Sequence, residues 1–308
     1  MQNVETYREY LTKVPQVQGF FDDQTNTISY VVADPDTKKC AVIDSVLDYE
    51  PHSASLSFEN ADLIISYITE NQFTLEWILE THVHADHLSA APYIQEKLGG
   101  KMAIGKYIVD VQDTFGKVFN EGTEFERDGS QFDKLFADGD TFTLGSIPVS
   151  VIHTPGHTPA DVVYVIGDAV FAGDTMFMPD FGTARCDFPG GSAEVMYAST
   201  QKIFALPEEM RMFMCHDYLP EGRTQYVWET TVGEQKKNNI HLKEGTDPER
   251  FTAMRNERDG QLGMPKLIIP SIQVNMRAGH LPTDKESGEV HLKTPVNSVF
   301  SKQPKLKK

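Results

Sequence analysis

Residues 81–87 read Thr81-His82-Val83-His84-Ala85-Asp86-His87. Three imidazoles and a carboxylate within six positions form a donor set suited to a first-row metal ion. The stretch follows a short apolar run, Leu75 to Leu79, that reads as a buried strand. A helical pattern from Ser89 to Leu98 comes after it and stops at Gly99-Gly100. A lone histidine is more often a packed or surface residue. Three with an aspartate on one strand-exit loop serve no packing purpose.

Further pieces fall at strand exits in chain order. His157 sits in His153-Thr154-Pro155-Gly156-His157-Thr158, Asp174 in Phe171-Ala172-Gly173-Asp174-Thr175, and His216 in Met214-Cys215-His216-Asp217-Tyr218. Around them, Thr27 to Ala33 and Cys40 to Val46 read as a hairpin about the turn Asp34-Pro35-Asp36-Thr37. Ala61 to Glu70 reads as a helix, Lys101 to Ile104 as a strand, Tyr107 to Phe115 as a helix and Asn120 to Asp133 as a loop. In the second half, Thr141–Leu144, Val149–His153, Val162–Ile166 and Ala169–Ala172 read as strands. A helix near Ala193–Ala205 and strands at Met212–Cys215 and Tyr226–Thr231 follow. Strands preceding helices in each half predict two sheets packed face to face with helices outside, a four-layer α/β sandwich.

The 308 residues are 40% hydrophobic and 24% charged, enough for a full core and ordinary for a globular chain. A formal net charge of −17 sets the surface against phosphate backbones, which excludes nucleic acid as a general partner. No apolar run approaches the ~20 residues needed to span a bilayer, and no signal-peptide pattern opens the chain, so no membrane partner is expected. Three cysteines (Cys40, Cys186, Cys215) do not make a disulfide framework, which points to a reducing cytoplasm. Composition shifts after residue 231, so residues 1–231 are expected to form the catalytic domain. Residues 232–308 are expected to form an extension that packs against it or makes a homo-oligomer contact. Within the extension, Asp247-Pro248-Glu249 opens a helix to about Asp259, Leu267 to Val274 is apolar but broken by Pro270, and the lysine-rich Ser301–Lys308 is expected to fray.

The ordered set H-x-H-x-D-H, H, D, H resembles the metallo-β-lactamase superfamily over roughly Gly19 to Trp228. That resemblance implies an αββα sandwich with metal at one edge of the two sheets. Within the superfamily the chain is most similar to the persulfide dioxygenases, with the thioesterase glyoxalase II as a close relative. The residues carrying this are Thr81–His87, Thr154–Thr158, Gly173-Asp174, Arg185-Cys186-Asp187-Phe188 (Arg-Thr-Asp-Phe is usual in the dioxygenases) and His216-Asp217-Tyr218.

The resemblance implies one Fe(II) per chain held by His82, His157 and Asp174. Two imidazoles and one carboxylate leave coordination positions open for a persulfide sulfur and O2 together. His84, Asp86, His87 and His216 then surround that site or, in a zinc hydrolase, hold a second metal. Asp44 either supports the metal loop or is a solvated strand-end aspartate. Arg185 is expected to clamp a carboxylate of glutathione, Tyr218 to contact the same substrate, and Asp217 to orient Arg185 or the histidine loop. Cys186 reads as a small buried cysteine or a redox-sensitive thiol. The implied activity is oxidation of glutathione persulfide with O2 to sulfite and glutathione. The alternatives are a Zn2+-dependent thioester hydrolase of glyoxalase II type and a non-catalytic metal-binding or redox-sensor protein.

Overall fold

In the computed structural model, which describes residues 4–300, every residue of Thr27–Ala33 is buried. Tyr30 and Val32 pack into one core while Val31 and Ala33 pack into another. Because side chains alternate along a strand, burial on both faces makes this an interior layer. In chain order the first half comprises α1 (Val4–Tyr10), β1 (Gln16–Asp22), β2 (Thr27–Ala33), β3 (Lys39–Ile43), β4 (Val46–Glu50) and β5 (Ser55–Ser57). It continues with α2 (Glu59–Glu70), β6 (Thr74–Leu79), β7 (Leu88–Ser89), α3 (Ala91–Leu98), β8 (Lys101–Gly105), α4 (Ile108–Val118) and β9 (Lys134–Phe136). The second half comprises β10 (Thr141–Leu144), β11 (Ile147–His153), β12 (Val162–Ile166), β13 (Ala169–Phe171), α5 (Ala193–Phe204), β14 (Arg211–Phe213) and β15 (Glu229–Thr231). Three helices follow, α6 (Val232–Asn238), α7 (Pro248–Gln261) and α8 (Ile268–Asn275).

Two six-stranded sheets, β1-β2-β3-β6-β8-β9 and β10-β11-β12-β13-β14-β15, carry the fold, with a small β5-β4-β7 sheet beside them. Three apolar clusters show the layering. One joins Val31, Val42 and Ile78 of the first sheet to Ile64, Ile94 and Phe115 of α2, α3 and α4. The middle one joins Tyr30, Ile43 and Leu79 to Val151, Tyr164 and Phe171 of the second sheet. The third joins Val163, Val165 and Met212 to Met196 and Ile203 of α5. Three interfaces between four layers are the αββα sandwich expected from the element order.

Several boundaries differ from the sequence reading, each for a local reason. The strand expected over Cys40–Val46 ends at Ile43 because Asp44 takes a left-handed conformation (φ 51°), which a short polar side chain tolerates. The helix expected from Ser89 starts at Ala91, since Ser89 pairs with Val46 in the small sheet. β15 keeps only Glu229–Thr231 of the expected strand. β1, not foreseen, pairs with β2 along its full length. Pro270 does not break its segment: it sits in the first turn of α8, where its missing N–H has no intrahelical acceptor. The lysine-rich 301–308 stretch lies outside the described residues. Among those described, no helix is long and apolar enough to cross a membrane.

The residues after 231 pack into both outer layers. Val232, Leu242 and Phe251 join the α5 cluster, while Ile268, Ile272 and Val274 join the cluster on the first sheet.

Candidate metal centre

Strand register brings the histidine and carboxylate pieces together. β3 and β6 are parallel with Ile43 opposite Leu79, so Asp44 and the Glu80-Thr81-His82 exit emerge side by side. β13 and β14 are parallel with Phe171 opposite Phe213, so Asp174 and His216, each three residues further on, also emerge together. His157 lies on the connection between antiparallel β11 and β12. Gly173 (φ 50°) lets the Asp174 turn lie against Thr81; a Cβ there would sit 2.7 Å from the Thr81 hydroxyl oxygen.

Hydrogen-bond partners fix where each imidazole carries its proton. The Asp44 carboxylate accepts the Thr81 N–H (2.7 Å) and the Thr81 hydroxyl (2.9 Å). With its one proton committed there, the Thr81 oxygen accepts from His82 Nδ1 at 3.0 Å, leaving the lone pair on Nε2. His157 Nδ1 donates to the Arg185 carbonyl (2.8 Å) and His216 Nδ1 to the Asn26 carbonyl (3.2 Å), so both present Nε2 lone pairs. His87 Nδ1 faces Asp86 at 3.3 Å. His84 is reversed: Nε2 donates to Asp44 (2.9 Å), with Glu80 3.4 Å away, leaving the lone pair on Nδ1.

Most of these atoms make no hydrogen bond within the protein. His82 Nε2, His84 Nδ1, His87 Nε2, His216 Nε2 and Asp174 Oδ1 are all buried and make no hydrogen bond. Each such atom costs about 1–3 kcal/mol unless something satisfies it. Five on adjoining loops fit a cation as the common partner. His82, His157 and Asp174 place one donor atom each within 4.8 Å of one another; His84, Asp86 and His87 form a second such group, and Asp174, Cys215 and His216 a third. Asp174 faces both ways, Oδ2 lying 3.5 Å from His157 Nε2 and Oδ1 3.3 Å from His216 Nε2.

Burial, reinforced by His84 and His157, pushes the His82 pKa well below its ordinary value. For His84 burial works the same way, but Asp44 and Glu80 outweigh it and raise the pKa, so its Nδ1 lone pair becomes a donor only as a bound cation displaces the proton there. Burial likewise opposes the charge on Asp86, yet His216 and His87 hold its carboxyl low. Asp44, completely enclosed, is a buried support of the histidine loop rather than a solvated strand end.

The profile of the metallo-beta-lactamase superfamily matches residues 23–216. The chain belongs to that superfamily. A probable metallo-hydrolase of Burkholderia pseudomallei is 50% identical over 92% of this chain and 99% of its own length. Glyoxylase B2 of Dictyostelium discoideum is 49% identical over 92% and 97%. The mitochondrial persulfide dioxygenase ETHE1 of Homo sapiens is 28% identical over 85% and 88%. Among solved structures, ETHE1 from Myxococcus xanthus superposes with a TM-score of 0.68 at 27% identity, covering 86% of this chain and all of that one.

In this superfamily member a cavity of about 630 Å³ opens onto the cluster, with Asp86, His87, His157 and Asp174 at its base. Phe177, Phe181, Phe188 and Tyr218 supply aromatic walls, and residues 262–267 of the C-terminal segment supply another. Tyr218 stacks on His216 with ring centres 5.5 Å apart. Arg185 also lines the cavity. Three of its five N–H donors are taken, two by Asp187 (2.6 and 2.8 Å) and one by the Gly263 carbonyl (2.5 Å). Asp217 does not match its expected role. Its carboxylate is buried away from the cavity, accepts the Arg223 guanidinium and the Val227 N–H, and orients neither Arg185 nor the histidine loop. Asp187 holds Arg185 instead.

Cys186 is buried, and burial pushes its thiol pKa up, as befits a packing residue rather than a reactive thiol. Glu80, not among the residues expected at the site, accepts the Ser89 hydroxyl at 2.5 Å beside His84. An acidic residue at the end of an apolar strand, one position before the histidine motif, was the available signal.

Proposed function

We propose that this protein is an Fe(II)-dependent persulfide dioxygenase. It oxidises the outer sulfur of glutathione persulfide: one persulfide, one O2 and one water yield one glutathione and one sulfurous acid, which ionises to sulfite. The observation carrying this reading is the His82–His157–Asp174 group, two imidazoles and one carboxylate, with His84 turned to Asp44 and placed in another group. A three-donor set of this kind suits non-haem iron and leaves positions for two reactants. The bound iron would supply a coordination sphere in which dioxygen and the persulfide sulfur meet. The chain's own residues supply the rest. Thr81 and the Arg185 carbonyl hold the protons of His82 and His157 on Nδ1. The aromatic walls thin the water around the sulfur, and Arg185 keeps two N–H donors for a carboxylate of the thiol. The similarity to persulfide dioxygenase ETHE1 of Homo sapiens supports the same reading.

A second reading is favoured by the second cluster. Asp86 belongs to one donor group with His87, Asp174 to another with His216, and His216 Nε2 joins the two, lying 3.4 Å from Asp86 and 3.3 Å from Asp174. These four suit a second metal, and the relatives near 50% identity are named a metallo-hydrolase and a glyoxylase. That arrangement would serve a dinuclear zinc hydrolase acting on a glutathione thioester. Metal analysis of anaerobically purified protein and an oxygen electrode separate the two. About one iron per chain with oxygen uptake on glutathione persulfide, and none on glutathione, is the expected result. Two zinc ions per chain with thioester hydrolysis and no oxygen uptake would overturn it.

A further inference from the structure

The loops that carry the histidines contain backbone groups that no strand or helix satisfies, and buried backbone polar groups need partners. The partners come from far along the chain. The Asn275 side chain, 5% exposed at the end of α8, donates from Nδ2 to the carbonyls of His84 (2.9 Å) and His87 (2.8 Å), and its Oδ1 accepts the Ser89 N–H (2.8 Å). One amide therefore closes the histidine loop at both ends.

A second brace acts on the other side of the cluster. Arg255 and Asp259 of α7 are 1% and 3% exposed and pair with each other through Nε at 2.9 Å and Nη2 at 2.5 Å. Arg255 Nη1 donates to the Thr183 carbonyl (3.0 Å), and Asp259 Oδ2 accepts the Cys186 N–H (2.7 Å). These two bonds pin the backbone on either side of Arg185, whose carbonyl accepts the proton of His157 Nδ1. The pair thus fixes the group that fixes the tautomer of His157.

We infer that the segment after residue 231 is a working part of the metal centre, with Asn275 and the Arg255–Asp259 pair as positioning residues that hold the two backbone stretches orienting His84, His87 and His157. This rests on the cluster holding a metal and not on which reaction it catalyses. Both braces contact only backbone of the site, so neither is a ligand. Their effect lies in the geometry of the donors and therefore in metal affinity.

The test uses the full-length chain, stripped of metal and titrated with Co2+, with affinity read by competition against a chelating indicator and ligand geometry read from the visible d–d bands. Asn275→Asp keeps the acceptor for Ser89 and places an acceptor against the two carbonyls. It should weaken Co2+ binding about 10- to 100-fold and alter the bands. Ile272→Val, in the same helix but within the apolar cluster, should lower the melting temperature and leave both affinity and bands unchanged. If Asn275→Asp does not fold, Asp259→Asn takes the same measurement on the second brace, with the same expected loss. Wild-type affinity and bands in the folded braced-residue variant would overturn the inference, whatever the melting temperature. Failure of the wild type to bind Co2+ would instead overturn the metal reading beneath it. Normal Co2+ binding without persulfide oxidation would leave this inference standing and remove only the dioxygenase assignment.

Discussion

Replacing Asp44 by asparagine should leave a folded protein that binds metal poorly. The backbone at Asp44 is left-handed (φ 51°), a conformation that asparagine adopts as readily, so the change is confined to the side chain. Oδ1 of Asp44 accepts from Thr81 N and His84 Nε2, and Oδ2 accepts the Thr81 hydroxyl and, weakly at 3.7 Å, the Cys215 thiol. The asparagine carbonyl can take the Oδ1 place and keep two of these bonds. They fall from charge-assisted bonds worth about 1.5–3 kcal/mol to neutral ones worth about 0.5–1.5, so the fold loses roughly 2–3 kcal/mol in all. The amide nitrogen then occupies the Oδ2 place and turns the Thr81 hydroxyl from donor to acceptor. The hydroxyl proton is released towards His82 Nδ1, 3.0 Å away, and the imidazole proton moves to Nε2, where the lone pair for the metal should be. Restoring the right tautomer would cost a hydrogen bond, about 1–2 kcal/mol, or roughly one decade in metal affinity. Urea unfolding of the metal-free variant measures the first loss, Zn2+ titration the second, and nitrogen-15 shifts of the imidazoles show which nitrogen of His82 is protonated. A variant with wild-type Zn2+ affinity, or with His82 still protonated at Nδ1, would refute this chain of hydrogen bonds.

Two further outcomes follow from single contacts. Arg185→Lys should lower kcat/KM for glutathione persulfide by about one to two decades, chiefly through KM, with the metal content unchanged, because an ammonium cannot reproduce the fork shared between Asp187, Gly263 and a substrate carboxylate; unchanged kinetics in both Arg185→Lys and Arg185→Ala would place the arginine outside substrate binding. Burial opposes the charge of Asp34, but the Ser146 N–H, the Thr37 hydroxyl and the Asp36 N–H outweigh it and hold its carboxyl down at about 2, against an ordinary 3.8. A depressed carboxyl stabilises the fold above its unfolded pKa and ceases to as the pH falls through its folded one, so Asp34→Asn should cost about 2 kcal/mol in urea unfolding from pH 7 down to about 4, with the gap closing below that; a gap that persists unchanged at pH 3 would refute the assignment.

What the sequence shows of this site depends on which kinds of contact hold it together. The histidines and Asp174 are legible because metal donors are scarce residue types clustered at strand exits, and the exits follow from apolar runs that are themselves legible. The strand character of Thr27–Ala33 is legible in its β-branched and apolar residues, but its two-sided burial is less so, because Thr27 and Ser29 interrupt the apolar pattern and Ser29 is buried by donating to the Asp44 carbonyl. Asp217 misleads for the converse reason. It adjoins His216 in sequence, yet the chain turns there, and its carboxylate meets Arg223 six residues on.

The braces leave no mark because their partners are backbone atoms. Asn275 reads as one polar residue closing an apolar stretch, and the carbonyls it holds belong to residues 188 and 191 positions away. Any residue type would offer the same carbonyl, so no pattern at His84 or His87 announces the need for a partner. The polar composition after residue 231 suggests only a packing or oligomer-contact extension for a related reason: most of its charged residues face solvent, while the buried Arg255–Asp259 pair and the buried amide of Asn275 do not stand out among them. A buried Arg–Asp pair adds little net stability over apolar residues of the same shape. Its retention makes physical sense if what it secures is position, and the two main-chain groups it holds are those flanking the carbonyl that orients His157.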